Sequence, residues 1–254
     1  MPEEIVLYEV DGRVARITLN RPEKRNALNH ELVAALKIAL RSADQDESVR
    51  AVILAGAGSD FCAGADLKAL QSIASASVAE NFEDARSLME LFMLLRALRL
   101  PVIAAVQGRA LAGGCGLALA CDMVLVGRSA QLGFPEVKIG FVPAMVMTIL
   151  RRNVSEKRAF ELVSLGAPVD AEQAASFGLV NRVLDDEAFA EEVDAFVQPL
   201  LSMSRSAVSL SKRLLYQTDV LSFEAALECG ADANVIARMS EDCRKGIERF
   251  LRKK

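Results

Sequence analysis

Twice along this chain a continuous apolar run ends in a glycine-rich segment from which a helix is expected to start. Arg50 to Ala55 leads into Gly56-Ala57-Gly58-Ser59-Asp60-Phe61-Cys62-Ala63-Gly64-Ala65-Asp66-Leu67-Lys68, and Val102 to Gln107 leads into Gly108-Arg109-Ala110-Leu111-Ala112-Gly113-Gly114-Cys115-Gly116-Leu117. A run with no polar alternation suits a strand buried on both faces, and parallel strands joined by crossover helices are buried in that way. The same grammar surrounds the two joints. A hairpin is expected from Ile5 to Val10 and Arg13 to Leu19 about Asp11-Gly12, helices from His30 to Ala43 and Ser77 to Leu98, and a strand from Met123 to Gly127. The expected class is α/β. Beyond Val183 no convincing strand follows, whereas Glu187 to Leu201, Ser206 to Gln217, Ser222 to Met239 and Ser240 to Leu251 are helical in period. Residues 1–185 are therefore expected to form the core, and residues 186–254 a helical C-terminal region that packs on its own domain or on a neighbouring subunit.

Composition removes several classes of function. Hydrophobic residues make up 52% of the 254 and charged residues 25%, the balance of an ordered globular chain. A net charge of −4 offers no concentrated basic stripe, so no nucleic-acid partner is expected. The basic residues near the C-terminus alternate with Glu241, Asp242 and Glu248, as on a solvated helix face. The most apolar stretch, Leu88 to Val106, is broken by Glu90, Arg96, Arg99 and Pro101, so no membrane association is expected. Met1 to Glu4 shows no secretion signal, and a cytoplasmic protein is expected. The five cysteines form no CxxC pair, which argues against a zinc site or a disulfide framework. His30 is the only histidine, removing most mechanisms built on a Ser-His or Cys-His pair; its place at a helix start suits capping or surface packing.

The glycine joints carry the chemistry. Small residues there let a ligand approach the main chain, and a helix that starts at such a joint presents N–H groups without intrahelical acceptors, at the favourable end of its dipole for negative charge. Tight packing of a helix on a sheet also calls for glycine, so either joint alone leaves both readings open. Neither fits GxGxxG in the required place or GxxxxGK[ST]. A third segment, Gln131 to Ala144, sets Glu136 among apolar neighbours, where desolvation would raise its pKa towards that of a useful base. Pairing with Lys138, or capping a turn, is the alternative.

The three segments, in this order, resemble the crotonase family, also called the enoyl-CoA hydratase/isomerase family. Further blocks carry the resemblance across most of the chain: Leu19-Asn20-Arg21-Pro22-Glu23-Lys24-Arg25-Asn26-Ala27-Leu28-Asn29 before the first joint, the run on to Cys121-Asp122 after the second, and Ala167 to Asn181 beyond Glu136. The resemblance implies a spiral β/α core, a helical C-terminal region that builds trimers or dimers of trimers, and a coenzyme A thioester as substrate with no separate cofactor and no metal. It assigns the backbone N–H groups of Ala65 and Gly113 as an oxyanion hole and Glu136 as a catalytic carboxylate. By the same matching, Arg25, Ala27, Ala63, Asp66, Leu67 and Lys68 line the coenzyme A channel, and Lys253 reaches the nucleotide.

Hydratases of that family use two glutamates, and here the first position is Gly116, which is expected to leave space opposite Glu136. A single base matches the family's isomerase pattern, although bacterial members resembling methylglutaconyl-CoA hydratase also carry glycine there. Asp66, Glu83, Asp84 and Glu90 lie close to the channel in sequence as other carboxylates. The same scaffold supports decarboxylation or thioester hydrolysis. A non-catalytic acyl-CoA-binding or RNA-binding role is the remaining alternative. The family's RNA-binding branch uses a lysine-rich helix, and the matching helix here, Glu31 to Ala43, holds only Lys37 and Arg41. Leu88, Phe92, Phe134, Phe141, Met145 and Met147 are candidates for the acyl pocket or for ordinary core.

Overall fold

The computed structural model of the protein describes residues 4–66, 70–72 and 75–252. Strands β1 (Val6–Asp11) and β2 (Val14–Leu19) form the expected antiparallel hairpin around Gly12, whose φ of +59° suits glycine. Strands β3 (Ala51–Gly56) and β4 (Val102–Val106) are the two apolar runs, and they pair in parallel. A smaller sheet begins with β5 (Arg109–Leu111), inside the second glycine-rich segment. Then come β6 (Met123–Gly127), β7 (Gln131–Gly133), β8 (Val169–Asp170) and β9 (Arg182–Leu184). The main sheet runs β1-β2-β3-β4-β6-β9 and is parallel from β2 onward, while the small sheet runs β5-β7-β8. Strands of two or three residues are too short to show a period, which is why the small sheet is silent in the sequence.

The helices are α1 (His30–Gln45), α2 (Val78–Ala97), α3 (Gly113–Ala120), α4 (Ala144–Asn153), α5 (Glu156–Leu165), α6 (Ala171–Phe177), α7 (Phe189–Leu201), α8 (Arg205–Thr218), α9 (Phe223–Met239) and α10 (Glu241–Arg252). Local caps set the ends of two early helices. Asn29, not His30, caps α1, its side chain accepting from the Leu32 N–H, and His30 stands exposed. Ser77 and Glu80 form a capping box at α2.

Alternate residues of the main sheet face two cores. Ile17, Leu19, Val52, Leu54, Ala104, Val106, Val124 and Val126 pack towards α1, α2 and α3. Val14, Ala51, Ile53, Ile103 and Leu125 point the other way, where Phe189, Val193 and Val197 of α7 cover them. Helix α8 is pinned by a buried cation that periodicity does not reveal. The Lys212 ammonium donates to the carbonyls of Leu95 (2.8 Å) and Leu100 (2.9 Å) and to Asp122 Oδ2 (2.7 Å), and the Tyr216 hydroxyl donates to Asp122 Oδ1 (2.7 Å). Helices α9 and α10 bury no residue and leave Leu227, Val235, Ile236, Met239 and Ile247 exposed.

Candidate active site

The chain coils so that each of β2, β3, β4 and β6 in the main sheet is followed by a short segment beside its neighbours, joined by isolated bridges at Leu28 and Cys62 and as strands β5 and β7 of the small sheet. Successive turns stack in parallel register: Leu28 bridges Ala65, Cys62 bridges Ala110, and Ala110 pairs with Leu132. Counting three residues on from the Cys62–Ala110 bridge sets Ala65 opposite Gly113. The Leu111–Gly133 pair ends two residues before both Gly113 and Pro135, so the loop that carries Glu136 leaves the small sheet beside the one that leads into α3. Adjacent strands lie ~4.8 Å apart, so positions far apart in sequence become neighbours. A Cβ added to Gly64 would lie 3.0 Å from the Ala112 Cβ, a direct measure of how closely the turns of Ala65 and Gly113 approach.

Both backbone N–H groups at this point are available. The Leu28–Ala65 bridge uses the N–H of Leu28 to the Gly64 carbonyl (2.7 Å) and the N–H of Asp66 to the Leu28 carbonyl (2.9 Å). The Ala65 N–H turns to the other side, towards Gly113, and has no acceptor among the described residues. Gly113 is the first residue of α3, and its N–H likewise has no acceptor among the described residues. Ala112, just before it, adopts φ +50° and ψ −126°, a conformation that costs a residue with a Cβ ~1–3 kcal/mol. Its N–H donates to the Gly133 carbonyl (2.8 Å) and its carbonyl accepts from the Gly116 N–H (2.9 Å), which hold the turn in place. Ala65 is exposed and Gly113 half-buried.

Glu136 sits in a short 3-10 helix, Pro135–Ile139, and its residue is 8% exposed. Its Oε2 is buried with no hydrogen-bond partner among the described residues, so the side chain is neither a cap nor an ion-pair partner of Lys138. Burial pushes its pKa up, against a smaller opposing pull from its own backbone N–H. Cys115 lies close by. Burial raises its thiol pKa, and the Glu136 charge adds to that effect. All three buried cysteines, Cys62, Cys115 and Cys121, are free thiols.

The space expected beside Gly116 is filled. A Cβ there would lie 2.7 Å from Val146 Cγ2, 3.3 Å from Val146 Cγ1 and 3.4 Å from Phe92 Cζ. Glycine at this position reflects close packing of α3 against α4 and α2, which the missing side chain alone does not reveal. Of the other carboxylates, Glu90 pairs with Lys37 of α1 at 3.2 Å, which also ties up one of that helix's two basic residues, and Glu83 and Asp84 are exposed. Among the six apolar pocket candidates, Phe92 and Phe134 are buried, Leu88, Met145 and Met147 half-buried, and Phe141 exposed.

The described channel candidates fall on the two turns that the Leu28–Ala65 bridge joins. Arg25 is exposed at φ +51°, and its carbonyl accepts from the Ala63 N–H (3.0 Å), while Ala27 is buried. Asp66 is held by Arg21, whose guanidinium donates to Asp66 Oδ2 (2.8 Å) and to the Ala27 carbonyl (2.7 Å). Leu67, Lys68 and Lys253 lie outside the described residues. Arg21 is a supporting residue that sequence reasoning missed, as are Asn26 and Asp60. The Asn26 amide bonds the carbonyls of Ala57 (2.9 Å) and Asp60 (2.8 Å), and Asp60 takes a bidentate grip from Arg109 (2.8 and 3.0 Å). Burial would raise the Asp60 pKa, but Arg109 outweighs it and holds the carboxyl below its ordinary range. For Asp60 the available signal was a lone carboxylate between Gly58 and Gly64, whereas Asn26 carries no such local mark.

Comparison with known proteins shows the family. A family model described as enoyl-CoA hydratase/isomerase matches residues 9–254. A Thermus thermophilus protein that carries an enoyl-CoA hydratase name is 41% identical over 243 residues, covering 96% of each chain. The crotonyl-CoA hydratase of Syntrophomonas wolfei is 33% identical over 256 residues, covering 100% of this chain and 97% of its own. The crystal structure of an enoyl-CoA hydratase from Mycobacterium smegmatis superposes with a TM-score of 0.94 at 35% identity, covering 99% of this chain and 98% of that one. No helix among the described residues is long and apolar enough to cross a membrane.

Proposed function

Because the chain belongs to the enoyl-CoA hydratase/isomerase family and is an enzyme of that type, we propose that it acts on an acyl-CoA through a thioester enolate, with Glu136 as its sole catalytic carboxylate and the N–H groups of Ala65 and Gly113 as the oxyanion hole. The observations that support this reading are the buried, unpartnered Glu136 Oε2 and, on the neighbouring turns of the coil, two N–H groups that have no acceptor among the described residues. With a 3-enoyl thioester, the Glu136 carboxylate takes a proton from C2 and the electron pair moves onto the carbonyl oxygen. The two N–H groups receive that charge, each worth ~3 kcal/mol in a dry site. The enolate then collapses, and Glu136 returns the proton at C4, leaving the double bond between C2 and C3. No electrons leave the substrate, so the step calls for neither a redox cofactor nor a metal.

Hydration is the second reading, favoured by the hydratase names of the relatives. A single carboxylate serves it by taking a proton from water as the oxygen adds at C3 and then delivering that proton to C2. The coenzyme A portion is assigned to the channel formed by Arg25, Ala27, Ala63, Asp66, Leu67 and Lys68, with Lys253 at the nucleotide. The exposed apolar faces of α9 and α10 support assembly with further copies of the chain, as a trimer or a dimer of trimers.

Assays of wild type and Glu136→Gln with crotonyl-CoA and a 3-enoyl-CoA test the proposal and separate the two reactions. Loss of about 10²-fold or more with whichever substrate is turned over is the expected result. Wild-type activity in the variant would overturn the role of Glu136.

A further inference from the structure

Gly116 lies one helical turn beyond Gly113, so the two share a face of α3, and the intervening Cys115 borders Glu136. Position 116 is thus on the Gly113 face of α3, directly after a residue that the Glu136 charge reaches. The place is taken by another residue: Val146 of α4 brings both methyl groups to it, at 2.7 and 3.3 Å from an added Cβ, and Phe92 of α2 closes it at 3.4 Å. Both are buried, Val146 at 5% and Phe92 at 6% exposure. Helix α4 starts five residues after the 3-10 helix that carries Glu136, and Phe141, between them, donates its N–H to the Glu136 carbonyl (3.0 Å). The segment that presents the carboxylate thus leads directly into the helix that presents the plug.

We infer that Val146 is a specificity-determining residue: its methyl groups, backed by Phe92, fill the recess beside Gly116 and close that side of the site with hydrocarbon, which restricts the acyl group to an unbranched chain. A methyl branch near the reacting carbons would need the volume that the Val146 methyls occupy. A close-packed wall does not yield that volume freely. The inference rests on the reading of Glu136 and the two N–H groups as the reacting centre, because that places the acyl carbons next to α3.

The test compares kcat/KM for crotonyl-CoA and its 2-methyl-branched analogue, 2-methylcrotonyl-CoA, in wild type and Val146→Ala, with each 3-enoyl counterpart used if isomerisation is the activity. Removing the two methyls is expected to raise the branched-to-straight ratio by about tenfold or more, the usual effect of one methylene-sized change in an apolar pocket. An unchanged ratio overturns the inference. A second measurement guards against a folding defect in that variant. Gly116→Ala alone is expected to lower activity because the new Cβ meets Val146, and Gly116→Ala in the Val146→Ala background is expected to recover it, a non-additive pair. Additive effects overturn the inference as well. Glu136→Gln distinguishes the underlying reading: it silences both substrates if that reading holds, whereas Val146→Ala acts on their ratio.

Discussion

At Glu136 the fold withholds solvent from a carboxylate and offers Oε2 no partner among the described residues in exchange. Burial raises the pKa above that of an ordinary Glu, so the acid limb of the kcat/KM profile is expected to lie above the usual carboxylate range. The sign of the linked stability effect follows. The folded state holds this proton more tightly than the unfolded chain, so the contribution is favourable below the unfolded pKa and is lost as the pH rises through the raised folded value. Glu136→Gln is therefore expected to melt above wild type at about pH 8, with the gap closing towards about pH 4, in thermal scans across that range. Ala112 is strained in a different way, through its backbone at φ +50°. Ala112→Gly is expected to raise unfolding free energy by about 1 kcal/mol in denaturant titration, the relieved strain outweighing the added flexibility of the unfolded chain. Only part of this scale was legible in the sequence. Glu136 stood out as a charge among apolar neighbours, whereas the closeness of Val146 to Gly116 depends on how α3 and α4 meet, and no local pattern reports that.

Among the elements, the long ones were readable and the short ones were not. Strands β3 and β4 announce themselves by unbroken apolar runs, and the hairpin β1–β2 by Asp11-Gly12. Strands β5, β7 and β8 span two or three residues each, yet β5, through the isolated Cys62–Ala110 bridge, sets the register that brings Ala65 and Gly113 together. Helix α8 was expected from its period, but its attachment through Lys212 was not, since a lysine within an amphipathic helix ordinarily faces water. Lys212→Met removes one partner of a buried, hydrogen-bonded pair and leaves Asp122 with its charge uncompensated by the ammonium. The expected loss is about 3–5 kcal/mol in chemical unfolding, far more than for a surface pair such as Arg128–Glu172.

At the scale of the whole molecule, α9 and α10 present Leu227, Val235, Ile236, Met239 and Ile247 to solvent, and exposed apolar residues gathered on two consecutive helices suit a protein–protein contact. Light scattering at micromolar concentration is expected to give a mass three or six times that of the chain, and Leu227→Asp with Ile236→Asp to reduce it; a wild-type monomer would sink the assembly. The sequence by itself determined the α/β class, the helical C-terminal region, the two glycine joints and the carboxylate among apolar residues, because each is written in a local period or composition that burial imposes. The tertiary structure decided that Ala65, Gly113 and Glu136 lie in adjacent turns of one coil and that Val146 and Phe92 occupy the place beside Gly116. Those facts rest on register between strands distant in the chain and on close packing between helices, and both are settled only when the whole core closes.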